Sequence, residues 1–221
     1  MLGNDYQVQH APWDHADGGA LDSKYGFQCL QLFLLTAMLE PTSYDVIIFN
    51  FGMHDINYDG KWLEEYTPPN DYANNLRKIK SVLLSTGVKV GYVLTTPVPY
   101  NVTLNNRVKQ YNSIASHVMS EEPKVATADL YTWVVEACGD PPYLHCIIAD
   151  KQPSPHYTSQ GYQYLSQRVK DLILDVTYDE KGRAKQPSTQ TKQEELHLEM
   201  ITKSQVRIQF AFFVQFILLR I

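Results

Sequence analysis

The sequence has no run of clustered lysines and arginines, and its 19 basic residues are outnumbered by 24 acidic ones, for a formal net charge of −5. A surface that tracks phosphates needs such clusters, so no nucleic-acid partner is expected. Cysteine is scarce. The three present, Cys29, Cys138 and Cys146, lack the spacing of a metal knuckle, and no metal site is expected. No glycine-rich loop of the kind that cradles phosphates stands out, which counts against a nucleotide binder. No cofactor is expected. The first residues carry neither the basic nor the apolar region of a signal peptide. The longest apolar stretch, 210–219, is interrupted by Gln215 and is too short to cross a bilayer as a helix. No transmembrane span is predicted. Docking on a membrane or a partner, and an artefact of a gene model, are both open readings of that stretch.

What is present suits an enzyme-sized domain. The chain has 221 residues, of which 44% are hydrophobic, enough for one buried core and a tail. Fifteen tyrosines suit carbohydrate or polar-organic ligands, and equally suit plain packing. Cys138 and Cys146 bracket a short loop containing Gly139, Pro141 and Pro142. A disulfide in an oxidising compartment and a pair of free thiols are both consistent with it. Asn101-Val102-Thr103 is an N-glycosylation sequon. The sequon and the cysteine pair favour a secreted or extracellular parent protein.

Four apolar stretches read as strands: 6–11, 45–51, 88–95 and 124–130. Between and after them, apolar residues recur at helical spacing over 22–39, 72–85, 105–119 and 159–176. Strand–helix alternation with near-continuous apolar strands predicts βαβ crossovers and a parallel sheet covered on both faces, in three α/β/α layers. No internal repeat is visible. Residues 179–193 are polar, with Gly182 and Pro187, and read as a linker. The expected organisation is a domain over 1–177, then a polar linker and short hydrophobic tail over 178–221.

In an open parallel sheet, ligands bind beyond the carboxyl ends of the strands. Three loops there carry chemistry. The first holds Gly18 and Gly19, which permit a backbone N–H to be aimed at a developing oxyanion and also suit a simple turn. The second follows the strongest strand with Gly52, His54 and Asp55. His54 has a donor to offer a pocket, and Asp55 can orient it or cap the next segment. The third is a proline-bordered loop that presents His156 just before a helix capped by Thr158 or Ser159. A histidine at the mouth of an α/β fold is a general-base candidate.

Taken in order, these blocks resemble the SGNH (GDSL-type) hydrolases, over roughly residues 5–175. Gly18 and Gly19 are similar to the family's second block, Gly52-Met53-His54-Asp55 to its third, and His156 with Gly161 to its fifth. Thr95-Thr96-Pro97 resembles a strand-end motif common there. The resemblance implies a flavodoxin-like three-layer fold. It also implies hydrolysis of carboxylic esters by a serine nucleophile, with no cofactor, on a small-molecule, lipid or glycan substrate. His156 would take the serine proton and pass it to the leaving alcohol. The backbone near Gly18 and Gly19, with His54, would hold the oxyanion.

The sequence departs from that pattern in three places. An apolar strand ending in Gly-Asp-Ser is absent, and the expected account is a sequence that begins downstream of it. Ser23 is the nearest substitute hydroxyl, but no apolar strand leads into it and helix capping is the competing role. His54 stands where the family has asparagine. Pro153 stands where an aspartate would orient the histidine, leaving Asp150 as the nearest carboxylate. In the family order 2-1-3-4-5, the absent strand is the one between the first two strands of this chain, so a gap is expected there. The parent is therefore read as an esterase and this chain as inactive for want of the serine. A non-catalytic pseudo-hydrolase holding a glycan or acyl ligand is the alternative, and a generic flavodoxin-like domain is a third.

Overall fold

The computed structural model describes residues 7–11, 21–38, 44–56, 66–142, 146–151, 154–178 and 216–220. Gly18, Gly19, Pro153 and the polar stretch 179–193 lie outside these residues. The elements run β1 (Gln7–Ala11), α1 (Ser23–Met38), β2 (Val46–Phe49), α2 (Pro69–Ser85), β3 (Lys89–Val93), α3 (Val102–Ser120), β4 (Ala126–Ala128), α4 (Leu130–Cys138), α5 (Ser159–Thr177) and β5 (Phe216–Arg220).

Local chemistry explains where the helices start. Pro69 opens α2 in the first turn, where its missing N–H has no helical partner to lose. Side-chain oxygens of Asn101, Asp129 and Thr158 accept backbone N–H groups at the starts of α3, α4 and α5. The Asn101 sequon residue is thus also the cap of α3. Helix α4 falls where sequence periodicity is too short to read. Asp129 and the buried pair Leu130 and Val134 mark it.

Strands β2, β3 and β4 pair in parallel. Val46, Ile47, Ile48 and Phe49 are each no more than 1% exposed, as a strand covered on both faces requires. Ile47, Phe49, Val90 and Tyr92 pack with Leu30, Leu76, Ile79, Val108 and Ala115 from α1, α2 and α3. Val46, Ile48 and Val93 pack with Val134, Leu165, Val169 and Ile173 from α4 and α5. The result is the expected three-layer α/β/α arrangement. Among the described residues, no helix is long and apolar enough to cross a membrane.

The sheet order is β1-β5-β2-β3-β4. The gap expected between the first two strands is filled, and the occupant comes from the stretch assigned to a tail. Strand β5 pairs antiparallel with β1, from Gln7 opposite Arg220 to Ala11 opposite Phe216. It pairs antiparallel with β2 as well, from Val46 opposite Leu219 to Phe49 opposite Phe216. Residues 216–220 therefore pair within the sheet. The physical reason is the one that made the gap improbable: two strand edges facing each other need a backbone between them to satisfy their N–H and C=O groups. Because β1 and β2 both run opposite to β5, they point the same way, and their carboxyl ends lie on one edge of the sheet.

Candidate active site

The first part of the site is the corner at the end of β2. Asn50 Nδ2 donates to the Val93 carbonyl at 2.7 Å and to Thr95 Oγ1 at 3.2 Å. The ends of β2 and β3 are thereby held side by side. The Phe51 carbonyl then accepts three hydroxyls: Tyr72 and Tyr92 at 2.8 Å each, and Thr95 at 3.2 Å. Burial raises both tyrosines above the ordinary phenol range, so they remain protonated donors. Gly52 follows with φ at +142°, and a Cβ there would lie 2.6 Å from Thr95 Oγ1. The turn needs glycine both for its backbone angle and for that close approach.

His54 and Asp55 complete the corner. His54 is half-buried. Asp55 is fully buried, and its Oδ1 accepts the Ser23 amide at 3.0 Å and the Ser23 hydroxyl at 2.6 Å. Asn75 Nδ2 donates to the same Ser23 hydroxyl at 3.1 Å. Burial pushes the Asp55 carboxyl up to about 6 against the opposing pull of those Ser23 bonds and of Thr67. Asp55 thus ties the corner to the first turn of α1, where Asp22 also caps the Tyr25 amide at 2.7 Å. Ser23, the substitute hydroxyl considered from sequence, is fully buried at the start of α1.

The third loop is built on a short antiparallel bridge between Ala149 and Tyr157. The Asp150 amide donates to the His156 carbonyl at 3.0 Å and the Thr158 amide to the Ile148 carbonyl at 2.9 Å. The Asp150 carboxylate accepts the Lys151 amide at 2.7 Å and the Ser154 hydroxyl at 3.3 Å, while Ser154 accepts the His156 amide at 3.1 Å. The buried Nδ1 of His156 faces into the protein. A disulfide joins Cys138 at the end of α4 to Cys146 at the start of this segment, with the Cα atoms 5.3 Å apart. Gly161, in the first turn of α5, lies so close to the Ile148 carbonyl that a Cβ would collide with it.

Tyr157 connects the two described parts of the site. Its hydroxyl donates to the Pro97 carbonyl at 2.9 Å. Thr95, two residues earlier, is the one held against the Gly52 corner, and Asn112 fixes its backbone through both its N–H and its C=O, at 2.9 and 2.8 Å. The Gly52–Asp55 corner and the His156 loop therefore rest on the same stretch, 95–97, beyond the end of β3. Gly18 and Gly19 follow β1 in the sequence but lie outside the described residues. Sequence reasoning singled out the Thr-Thr-Pro stretch without assigning it a task. It missed Tyr157, Asn75, Ser154 and Asn112. Nothing in local periodicity separates these side chains from ordinary packing residues, since their partners lie far away in the chain.

No protein-family model matches the sequence, and no curated protein matches it. Solved structures do. A catalytic mutant of an acetylxylan esterase from Geobacillus stearothermophilus matches with a TM-score of 0.56 at 14% identity, over 69% of this chain and 67% of that one. A member of the lipolytic protein G-D-S-L family from Veillonella parvula DSM 2008 matches at 0.54 and 18% identity, over 70% and 75% of the two chains. The lipase/acylhydrolase from Enterococcus faecalis matches at 0.53 and 19% identity, over 76% and 74%. At such identities the likeness is one of fold, and it coincides with the fold that the sequence motifs imply. The chain has the α/β fold of the SGNH, or GDSL-type, hydrolases.

Proposed function

We propose that the chain carries the acid–base and oxyanion groups of an esterase pocket acting on a carboxylic ester of a small molecule, lipid or glycan. His156 is the general base, taking a serine proton and returning it to the leaving alcohol. Asp150 is the carboxylate nearest in sequence, and its backbone bond to His156 keeps it in that loop. The backbone near Gly18 and Gly19, with His54, supplies the oxyanion donors, each worth on the order of 2.7–4 kcal/mol of barrier. Asp55 positions the corner that carries His54. The observation that carries this reading is the shared seat of the two loops on 95–97, through Tyr157 on Pro97 and Asn50 on Thr95.

The nucleophile is left unassigned in this chain. The Ser23 hydroxyl donates to Asp55, accepts from Asn75 and is fully buried, which supports a role in tying α1 to the corner, while Asp22 caps the helix. The test is hydrolysis of p-nitrophenyl acetate by this chain and by a version preceded by an apolar strand ending in Gly-Asp-Ser. Turnover by the longer version alone, abolished in His156→Ala, is the expected result. Turnover by the short chain that disappears in Ser23→Ala would reassign the nucleophile.

One observation favours the second reading, a pseudo-hydrolase that binds a glycan or acyl ligand. With β5 antiparallel, the position between β1 and β2 presents at the site edge the beginning of a strand, Phe216 beside Phe49, instead of a strand end leading into a serine. Retained binding of a glycan or acyl ligand with no hydrolysis by either version is the outcome that selects it.

A further inference from the structure

We propose that Asn101 carries an N-linked glycan, and that its first sugar packs on the exposed side chains of Tyr100 and Val102 at the site edge of the sheet. Asn101-Val102-Thr103 is the single Asn-x-Ser/Thr triplet in the sequence. The structure divides the asparagine amide between two tasks. Oδ1 accepts the Leu104 amide at 3.0 Å and so caps α3. Among the described residues Nδ2 bonds nothing, and Nδ2 is the atom to which a glycan attaches. Substitution on the nitrogen leaves the amide oxygen as an acceptor, so the cap and the modification do not compete. The backbone at Asn101 is extended, with φ −136° and ψ 107°, and Thr103, whose hydroxyl completes the acceptor triplet, is exposed.

The surroundings of Asn101 favour a covering group. Among the described residues the exposed large hydrophobics are Tyr100 at 36%, Val102 at 50% and Ile147 at 72%. Two of the three flank Asn101 directly. A sugar ring carries an apolar C–H face, and laying it on these side chains removes apolar surface from water. The Cys138–Cys146 disulfide is an independent mark of the oxidising compartment in which the transfer takes place. There the co-reactant is a lipid-linked oligosaccharide diphosphate. The bond from Nδ2 to the sugar C1 forms, the bond from C1 to the diphosphate oxygen breaks with its electron pair on the diphosphate, and one Nδ2 proton passes to a base of the transferase. The attachment point lies on the rim of the candidate site. The Pro97 carbonyl that seats Tyr157 beside His156 is on the segment leading into Asn101, and Asn105, one turn into α3, holds that segment by accepting the Val98 amide at 3.3 Å.

The experiment expresses the full chain behind a cleavable signal peptide in eukaryotic cells. A gel shift removed by peptide-N-glycosidase F is expected, with the Asn101 peptide then showing the mass of an aspartate in place of the asparagine. Thr103→Ala and Asn101→Asp should each abolish the shift. Asn101→Asp keeps an oxygen to cap α3, so loss of the shift there does not come from loss of the helix start. For the packing, the glycosylated chain is compared with the same chain from a bacterial periplasm, which forms disulfides without the transfer. A higher thermal midpoint for the glycosylated form is expected, with the difference erased in Tyr100→Ala/Val102→Ala. None of these readouts depends on hydrolysis. A secreted chain that has formed the Cys138–Cys146 bond yet shows no shift overturns the proposal. Equal midpoints with and without the glycan overturn its contact with Tyr100 and Val102.

Discussion

Tyr157, only 3% exposed, donates its hydroxyl to the Pro97 carbonyl and so seats the neighbour of His156 on the segment that also holds the Gly52 corner. Tyr157→Phe removes that bond and leaves the ring in place. A loss of about 0.5–1.5 kcal/mol of stability is expected. The more telling readout is hydrogen exchange. The Asp150 and Thr158 amides, which bond across the bridge, should exchange faster in the variant, while amides in α2 should not change. Equal protection at both bridge amides would show that the hydroxyl does not hold the loop.

Ser23→Ala tests the buried tie between α1 and the corner. The substitution leaves Asp55 with the Ser23 amide but without the hydroxyl, and deprives Asn75 of its acceptor. The expected cost is roughly 1–3 kcal/mol in urea unfolding. A variant as stable as the parent would mean that the hydroxyl serves something other than the corner.

Asp55 predicts a pH dependence of stability. Its folded-state carboxyl sits at about 6 against an ordinary 3.8, because burial disfavours the charged form. The folded state therefore binds the proton more tightly than the unfolded chain. The contribution is complete below about 4 and is lost as the pH rises through about 6. A shift of this size corresponds to roughly 3 kcal/mol. Asp55→Asn keeps an acceptor for Ser23 and does not titrate. Relative to that variant, the parent should lose stability between about pH 4 and 7 in denaturant titrations. Parallel stability curves for the two proteins would contradict the assignment.

The disulfide predicts a redox-dependent loop. Cys138 and Cys146 are eight residues apart, and closing so short a loop stabilises by about 2–3 kcal/mol in the chain-entropy account. Cys146→Ser, or reduction of the parent, should lower the thermal midpoint and quicken exchange at the Thr158 amide in particular. An unchanged midpoint on reduction would exclude a structural contribution from the bond.

Gly52→Ala should be among the most damaging single changes at the sheet edge. The backbone sits at φ +142° and the new methyl would meet Thr95 Oγ1 at 2.6 Å. Strain of this kind costs about 1–3 kcal/mol before the Thr95 hydrogen bonds are disturbed. Folded protein of parental stability would show that the turn can adopt another shape.

Much of the fold was legible because its signals are local. The apolar strand 46–49 and the helical spacing of Tyr72, Leu76, Ile79 and Leu83 announce their own secondary structure, and their burial follows. The corner residues were legible for a related reason: Gly52, His54 and Asp55 end a strand in a way that packing alone does not require. What escaped was decided by partners distant in the chain. Residues 216–220 look like a stray apolar tail until β1 and β2 are placed side by side with a strand's width between them. Ser23 looks like a free hydroxyl until Asp55, 32 residues on, is brought against it. Tyr157 is one tyrosine among fifteen until Pro97 lies under its hydroxyl.

The three hydroxyls gathered on the Phe51 carbonyl come from α2, from β3 and from the segment after β3. They hold the end of β2 from one flank alone, the flank away from β5. The Gly52–Asp55 side of the molecule is therefore a fixed jaw, braced by α2 and β3 at Phe51 and by Ser23 of α1 at Asp55. β1 is a detachable jaw, moored to the rest of the sheet by β5. Pulling that mooring would part the two while the braced half kept its shape.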